Sequence, residues 1–331
     1  MKKFLASLLI TAITLTVSAC GQGEQAPRDN VSQNESQQEE NGSGVEKAGQ
    51  ATVYPITVKD ATGTEHTFEK APERIVSTSP SETEVMFALG LGDKLVGVSD
   101  FDNYPEEALE KPKVGGVSKP NEEAIISANP DLVIGGISMK DDVAKGLRDL
   151  DIPLYKTEPK KVSDVLDNII RFGVITDTQE KAEELVAQMS QDIQFVTDKA
   201  EELQDADKKK VYIEFSPGWT VGRGEFMDEL ITIAGGLNIA RNLEGWNAIN
   251  EEKIIQDNPD VILFTSGRFD DQSGATIDEL IRSRGGWEKI SALQEDRLIA
   301  VDGDVVSRPG PRITEALKII AEAIYPELYK Q

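Results

Sequence analysis

Asn121-Glu122-Glu123-Ala124-Ile125-Ile126-Ser127-Ala128-Asn129-Pro130-Asp131-Leu132-Val133-Ile134 occurs in this chain a second time, as Asn250-Glu251-Glu252-Lys253-Ile254-Ile255-Gln256-Asp257-Asn258-Pro259-Asp260-Val261-Ile262-Leu263. Eight of the fourteen positions are identical at a spacing of 129 residues, and the last three differ only among aliphatics. Each copy predicts a helix followed by a strand. Asn121 and Asn250 are N-caps, and the paired glutamates occupy the first turn, where the helix dipole favours negative charge. Asn-Pro ends the helix, because the proline ring cannot continue it and biases the preceding residue to extended backbone. Asp and three aliphatics then form a short buried strand.

The spacing exceeds the roughly 20–50 residues of solenoid units. It predicts two similar α/β lobes. Upstream of the copies, Arg74-Ile75-Val76-Ser77 and Val211-Tyr212-Ile213-Glu214-Phe215 are strands, each followed by a loop and a helix ending at Gly90-Leu91-Gly92 or Gly235-Gly236. Downstream, Ile152-Pro153-Leu154-Tyr155 and Arg297-Leu298-Ile299-Ala300-Val301 add one strand each. Between the lobes, Asp177-Thr178-Gln179-Glu180 has the form of a capping box. Apolar residues from Ala182 to Leu203 keep helical spacing, which predicts a helix from Thr178 to Gln204, about 40 Å long, bracing the two halves.

The expected organisation is therefore an export signal over 1–19, a flexible tether over 20–50, an N-terminal α/β lobe over 51–176, a backbone helix over 177–207 and a C-terminal α/β lobe over 208–331. Lys2 and Lys3 precede an apolar run from Phe4 to Val17 that is short for a final membrane span. Residues 21–50 hold only Val31 and Val45 as large aliphatics and cannot bury enough apolar surface to order themselves. The net charge of −24 argues against a nucleic-acid partner. A single histidine, His66, excludes capture of free zinc or manganese by a histidine cluster and disfavours axial-histidine haem, leaving a tyrosine ligand open. His66 sits beside the hairpin turn Asp60-Ala61-Thr62-Gly63-Thr64, where solvent exposure is expected.

Val17-Ser18-Ala19-Cys20 resembles the lipobox of bacterial lipoproteins, which implies cleavage and lipidation (palmitate included) at Cys20, the only cysteine. Arg74-Ile75-Val76, Ser79-Pro80-Ser81-Glu82-Thr83-Glu84, Ala88-Leu89-Gly90, Val96-Gly97-Val98, Tyr104-Pro105, both Asn-Glu-Glu units and Arg308-Pro309-Gly310-Pro311-Arg312-Ile313 extend the resemblance. Over residues 54–328 the chain is similar to the solute-binding lipoproteins of bacterial ABC importers, in the helical-backbone branch (class III) that serves ferric siderophores, haem and cobalamin. It looks nearest to the cobalamin-binding subgroup and its Gram-positive relatives.

That resemblance implies a lipid-anchored extracytoplasmic protein that captures a metal chelate in the cleft between its lobes. Cobalamin or another corrinoid is favoured, with a ferric siderophore and then haem as alternatives. The partners implied are the ABC permease subunits, as a homodimer, with their ATPase. No cofactor of its own is expected. Glu123 and Glu252 match the surface glutamates that meet permease arginines, with Glu122 and Glu251 as alternatives. Trp219 and Trp246 match aromatic positions of cobalamin binders, Phe101 is the counterpart in the first lobe, and Asp304 matches a cleft acid. Where those relatives carry further first-lobe aromatics, this chain has Val117. Arg223, Arg268 and Arg308 would line the cleft for an anionic ligand. Arg312 is expected to satisfy loop carbonyls, and Trp287 to pack in the core. The rival is an exported hydrolase, but Glu82 and Glu84 do not face one another and Ser79-Pro80-Ser81 lacks the glycine-flanked nucleophile elbow. An enzyme is not expected.

Overall fold

The computed structural model describes residues 51–329, within a unit spanning 46–331. The expected signal peptide, Cys20 and the tether lie outside the described residues. The chain enters through an antiparallel hairpin, β1 (Ile56–Lys59) and β2 (Glu65–Phe68), and then builds a parallel sheet from β3 (Ile75–Ser77), β4 (Leu95–Gly97), β5 (Leu132–Gly135) and β6 (Leu154–Lys156). The helices between are α1 (Pro80–Ala88) after β3, α2 (Glu122–Ala128) before β5, and α3 (Asp141–Arg148) before β6. Two long helices follow, α4 (Val162–Thr176) and α5 (Gln179–Glu201).

The second half repeats the plan. β7 (Lys210–Glu214), β8 (Trp219–Val221), α6 (Phe226–Ile233), β9 (Leu237–Asn238), β10 (Trp246–Ala248), α7 (Glu251–Asp257), β11 (Val261–Ser266), α8 (Ile277–Ser283), α9 (Ser291–Gln294) and β12 (Leu298–Asp302) lead to α10 (Gly303–Val306), α11 (Ile313–Ile324) and α12 (Pro326–Tyr329). The first sheet runs β4-β3-β5-β6 and the second β9-β7-β11-β12, all parallel. Each repeated strand sits inside its sheet, β5 between β3 and β6 and β11 between β7 and β12. Its side chains are buried almost throughout, which a continuous aliphatic run requires.

Both repeated helices are capped as their sequences dictate. Asn121 Oδ1 accepts from the Ala124 amide and Asn250 Oδ1 from the Lys253 amide, each at 3.0 Å. Their exits differ from expectation. Asn129 and Asn258 adopt left-handed backbone, φ 45° and 47°, rather than extended. Asparagine tolerates this conformation, and it closes the helix with a C-terminal cap before the proline turns the chain away.

The long helix is shorter than expected, and the Asp177–Glu180 capping box does not form: Thr178 makes no cap bond, and its hydroxyl instead meets that of Thr176 at 2.8 Å. Helix α5 packs on α4, α6 and α11. Through these helices one apolar cluster runs from Ile75 and Ile169 through Val196 to Leu230 and Ile320, so the lobes share a core.

His66 is not the solvent-exposed side chain expected beside a hairpin turn. It is half-buried, with Nε2 3.2 Å from Asp60 Oδ2, while Asp60 also pairs with Arg148 and accepts from the Lys156 amide at 3.0 Å. Burial pulls the imidazole below its ordinary pKa despite that partner. This hub pins the entry hairpin to the first sheet.

Candidate functional site

In parallel sheets the loops after the strands gather at one edge, and the crevice there is where ligands bind. The loops following β3, β4 and β5 meet those following β11 and β12 around a cavity of about 600 Å³. Ser79, Phe101, Asn103 and Ile137 line it from the first lobe, and Arg268, Asp304 and Arg308 from the second. Val117 is on this wall as well. Four of the expected ligand residues, Phe101, Arg268, Asp304 and Arg308, are thereby brought together. Phe101 leaves 59% of its surface exposed, a large apolar ring held out of the core.

Arg308 is not a free cation. Nη1 donates to Glu84 Oε1 at 3.0 Å and to Asn103 Oδ1 at 2.8 Å, and Nη2 lies 3.1 Å from Asp304 Oδ2. Arg312 also meets a carboxylate rather than loop carbonyls. Its Nε and Nη2 donate to the two oxygens of Glu84 at 2.9 and 2.6 Å, and its guanidinium stacks 4.1 Å over the Tyr104 ring. These bonds hold the guanidinium above its ordinary pKa. Asn103 Nδ2 donates to Asp304 Oδ2 at 2.7 Å, completing a polar bridge across the cleft. Arg268 is left nearly unoccupied, half-exposed and 3.8 Å from Asp304.

Glu84 and Asn103 were not singled out from sequence. The available signal was Arg308 and Arg312, two cations four residues apart beside a rigid Pro-Gly-Pro, more positive charge than the adjoining Asp304 alone neutralises.

Two more carboxyls are buried here, Asp102 in the cavity wall and Glu82 behind it. Glu82 Oε1 accepts from the Thr157 hydroxyl at 2.5 Å, and Oε2 has no hydrogen-bond partner. Asp102 Oδ2 accepts from Ser99 Oγ at 2.5 Å. Burial raises the pKa of both above the ordinary carboxylate value; the charge of Asp102 adds to the rise at Glu82, while Ser99 and Lys113 oppose it at Asp102.

Trp219, Arg223 and Trp246 are outside the lining of this cavity and occupy an antiparallel ribbon, β8 paired with β10, that springs from the end of β7. Thr265 Oγ1 donates to the Phe215 carbonyl at 2.7 Å, so the ribbon's root lies beside the end of β11, at the same sheet edge. Gly218, at φ +75°, makes the turn that brings Trp219 back over Phe215. Trp219 is 45% exposed. Trp246 is 37% exposed and makes T-shaped contacts with Phe215, centroids 4.7 Å apart, and Phe226. Arg223 is tied to Glu244 at 2.8 Å on the exposed side of the ribbon. Across the cleft, Glu225 feels the charges of Lys160 and Glu158 from the loop after β6, while burial raises its pKa. Trp287 is fully buried, as expected.

Glu123 and Glu252 stand exposed on the first turns of α2 and α7. Beside Glu252, Glu251 is within ion-pair reach of Arg284, Oε1 to Nε 3.6 Å. Among the described residues no group of three or more His, Cys, Asp or Glu side chains is placed to hold a metal ion, and no helix is long and apolar enough to cross a membrane.

The sequence model of a family described as periplasmic binding protein matches residues 75–305. The chain is 36% identical over 293 residues to the uncharacterised ABC transporter substrate-binding lipoprotein YvrC of Bacillus subtilis, covering 86% of this chain and 90% of that one. It is 28% identical over 326 residues to a cobalamin-binding protein of Halobacterium salinarum, covering 97% and 84%. Among solved structures it is similar to a possible iron-binding periplasmic solute-binding protein of Staphylococcus epidermidis, with 32% identity, a TM-score of 0.66, and coverage of 77% and 100%.

Proposed function

This chain belongs to the periplasmic binding protein family, and on that premise we propose that it is the extracytoplasmic solute-binding lipoprotein of an ABC importer, anchored through Cys20, that captures a metal chelate of the corrinoid type. The observation that carries the reading is the set of exposed aromatic rings at the cleft edge. Phe101 on one lobe and Trp219 and Trp246 on the other each keep more than a third of their surface in water. Aromatic faces left uncovered are costly in a monomer and mark a place where a flat or bulky apolar ligand covers them. The similarity to a cobalamin-binding protein supports the same choice. Binding needs no covalent step, and the family is one of binding proteins.

Docking on the permease falls to Glu123 and Glu252. They sit at equivalent places on the two repeats, which suits a twofold cationic partner. The tie between Glu251 and Arg284 supports Glu252, rather than its neighbour, as the acid free to meet that partner.

The second reading is an anionic ferric siderophore. Arg268 favours it, because that cation faces the cavity with only a loose carboxylate contact. Arg308 gives it less support, being consumed by Glu84 and Asn103.

Titration of the protein with cyanocobalamin, followed by tryptophan fluorescence, separates the two. Sub-micromolar binding is expected, weakened about tenfold in Trp219→Ala by loss of one aromatic contact worth about 1.4 kcal/mol. Absence of cobalamin binding together with tight binding of a ferric siderophore, lost in Arg268→Ala, would transfer the assignment to the second reading.

A further inference from the structure

The exposed ribbon and the docking helix of the second lobe are joined by more than the chain. β10 ends at Ala248, and α7 begins at Glu251. At the repeat spacing of 129 residues, Trp246 corresponds to Val117 on the cavity wall, so in both lobes a cleft-edge residue stands four places before the helix N-cap. In the second lobe a buried ion cluster adds a side-chain link. Glu214, at the end of β7 and fully buried, accepts from Arg284 Nη1 and Nη2 at 2.6 and 2.7 Å and from the Tyr212 hydroxyl at 2.9 Å. Its Oε1 also accepts from the Gly218 amide at 2.8 Å, fixing the turn that presents Trp219. The Gly218 carbonyl in turn accepts from the Ile249 amide at 3.0 Å, the residue leading into α7. Arg284 stacks 4.6 Å over the buried Trp287 ring and reaches outward to Glu251 on the first turn of α7.

A buried bidentate arginine–carboxylate pair is rigid because both groups are planar and neither can leave without exposing an unpaired charge. One guanidinium therefore fixes the turn beneath Trp219 and stands within ion-pair reach of the helix start that carries Glu252. We propose that Arg284 is a positioning residue that holds the ligand ribbon and the docking helix as one body, so that displacement of the ribbon is delivered to the permease-facing acid. This rests on the assignment of Trp219 to ligand and Glu252 to docking given above.

The test is site-resolved hydrogen exchange on the full chain, with no ligand added. Glu251→Gln cuts the link at its half-exposed end and leaves the Glu214–Arg284 pair intact. It is expected to speed exchange at the Lys253 and Ile254 amides about two- to fivefold, with Gly218, Leu263 and the thermal midpoint unchanged. Arg284→Lys keeps the charge but cannot span both carboxylates, and it should speed Lys253, Ile254 and Gly218 together while Leu263 is unchanged. Unaltered exchange at Lys253 and Ile254 in Glu251→Gln overturns the proposal, and this outcome can be read even if Arg284→Lys fails to fold. Speeding spread evenly over the lobe in either variant assigns Arg284 a merely stabilising role and also overturns it. A failure of the docking assignment shows separately, as unchanged binding of the permease to Glu252→Lys.

Discussion

Glu82 and Glu84 stand two residues apart on α1 and meet opposite surroundings. Glu84 faces the other lobe and takes three short N–H donors from Arg308 and Arg312. Glu82 faces the first lobe's own interior, where Thr157 donates one bond and no side-chain cation is hydrogen-bonded to it. Its carboxyl is pushed upward by burial first and by Asp102 last. A folded-state pKa above the unfolded value means the native state holds the proton longer. The resulting stability is fully present below the unfolded value, about 4.3, and is lost as pH rises toward the folded one, by at most about 1.4 kcal/mol per pH unit. Glu82→Gln, which cannot ionise, is therefore expected to match the wild type in thermal midpoint near pH 4 and to exceed it increasingly toward pH 8. A difference that stays constant across that range would show that the fold does not raise the pKa of Glu82. Neither glutamate's role was legible in the sequence. Glu84 and Arg308 are 224 residues apart, and no local pattern announces a partner that distant.

At the scale of elements, the two Asn-Glu-Glu helices are where sequence and structure agree most closely, because capping and dipole effects act within one turn. The Asn-cap bonds have the same donor offset and length in both copies. The left-handed exits at Asn129 and Asn258 were misjudged because proline's steric bias yields to asparagine's tolerance of positive φ when a helix must be closed. The Thr178 cap was misjudged because a neighbouring hydroxyl, that of Thr176, supplied an alternative partner. Since both acids project from well-fixed helix starts, charge reversal at Glu123 and Glu252 should act on docking and leave folding intact. The double variant is expected to bind the solubilised permease at least about tenfold more weakly in a surface-binding assay, because like charges then face each other across the interface. Its midpoint should fall only by the lost dipole contribution, roughly 0.3–1 kcal/mol at each site. Undiminished permease binding would remove both residues from the docking surface.

At the largest scale, the described residues of both lobes form one compact unit for a reason that a lobe-by-lobe reading misses. Two repeats with identical strand order would be expected to fold as two units, yet α4, α5, α6 and α11 bury residues of both halves in one apolar cluster. The periodicity of α5 identified it as amphipathic, but which neighbours its stripe would find was beyond a single sequence, since α11 lies more than a hundred residues further on. A shared core resists wide hinge motion, because separating the lobes would expose that seam to water at about 25 cal/mol for each Å² uncovered. The bridge of Glu84, Arg308, Arg312, Asn103 and Asp304 then spans a cleft whose width the helices have already set. Ile320, fully buried on α11, tests this directly. Ile320→Ala should cost about 2–5 kcal/mol and lower the thermal midpoint by roughly 5–15 °C. If the seam unites the lobes, near-ultraviolet dichroism dominated by Trp287 in the second lobe and exchange of the Val133 amide in the first must report the same loss, in one transition. Retention of first-lobe protection after the Trp287 signal has gone would mean that the lobes are independent, and that the cleft is free to open by rotation about α5.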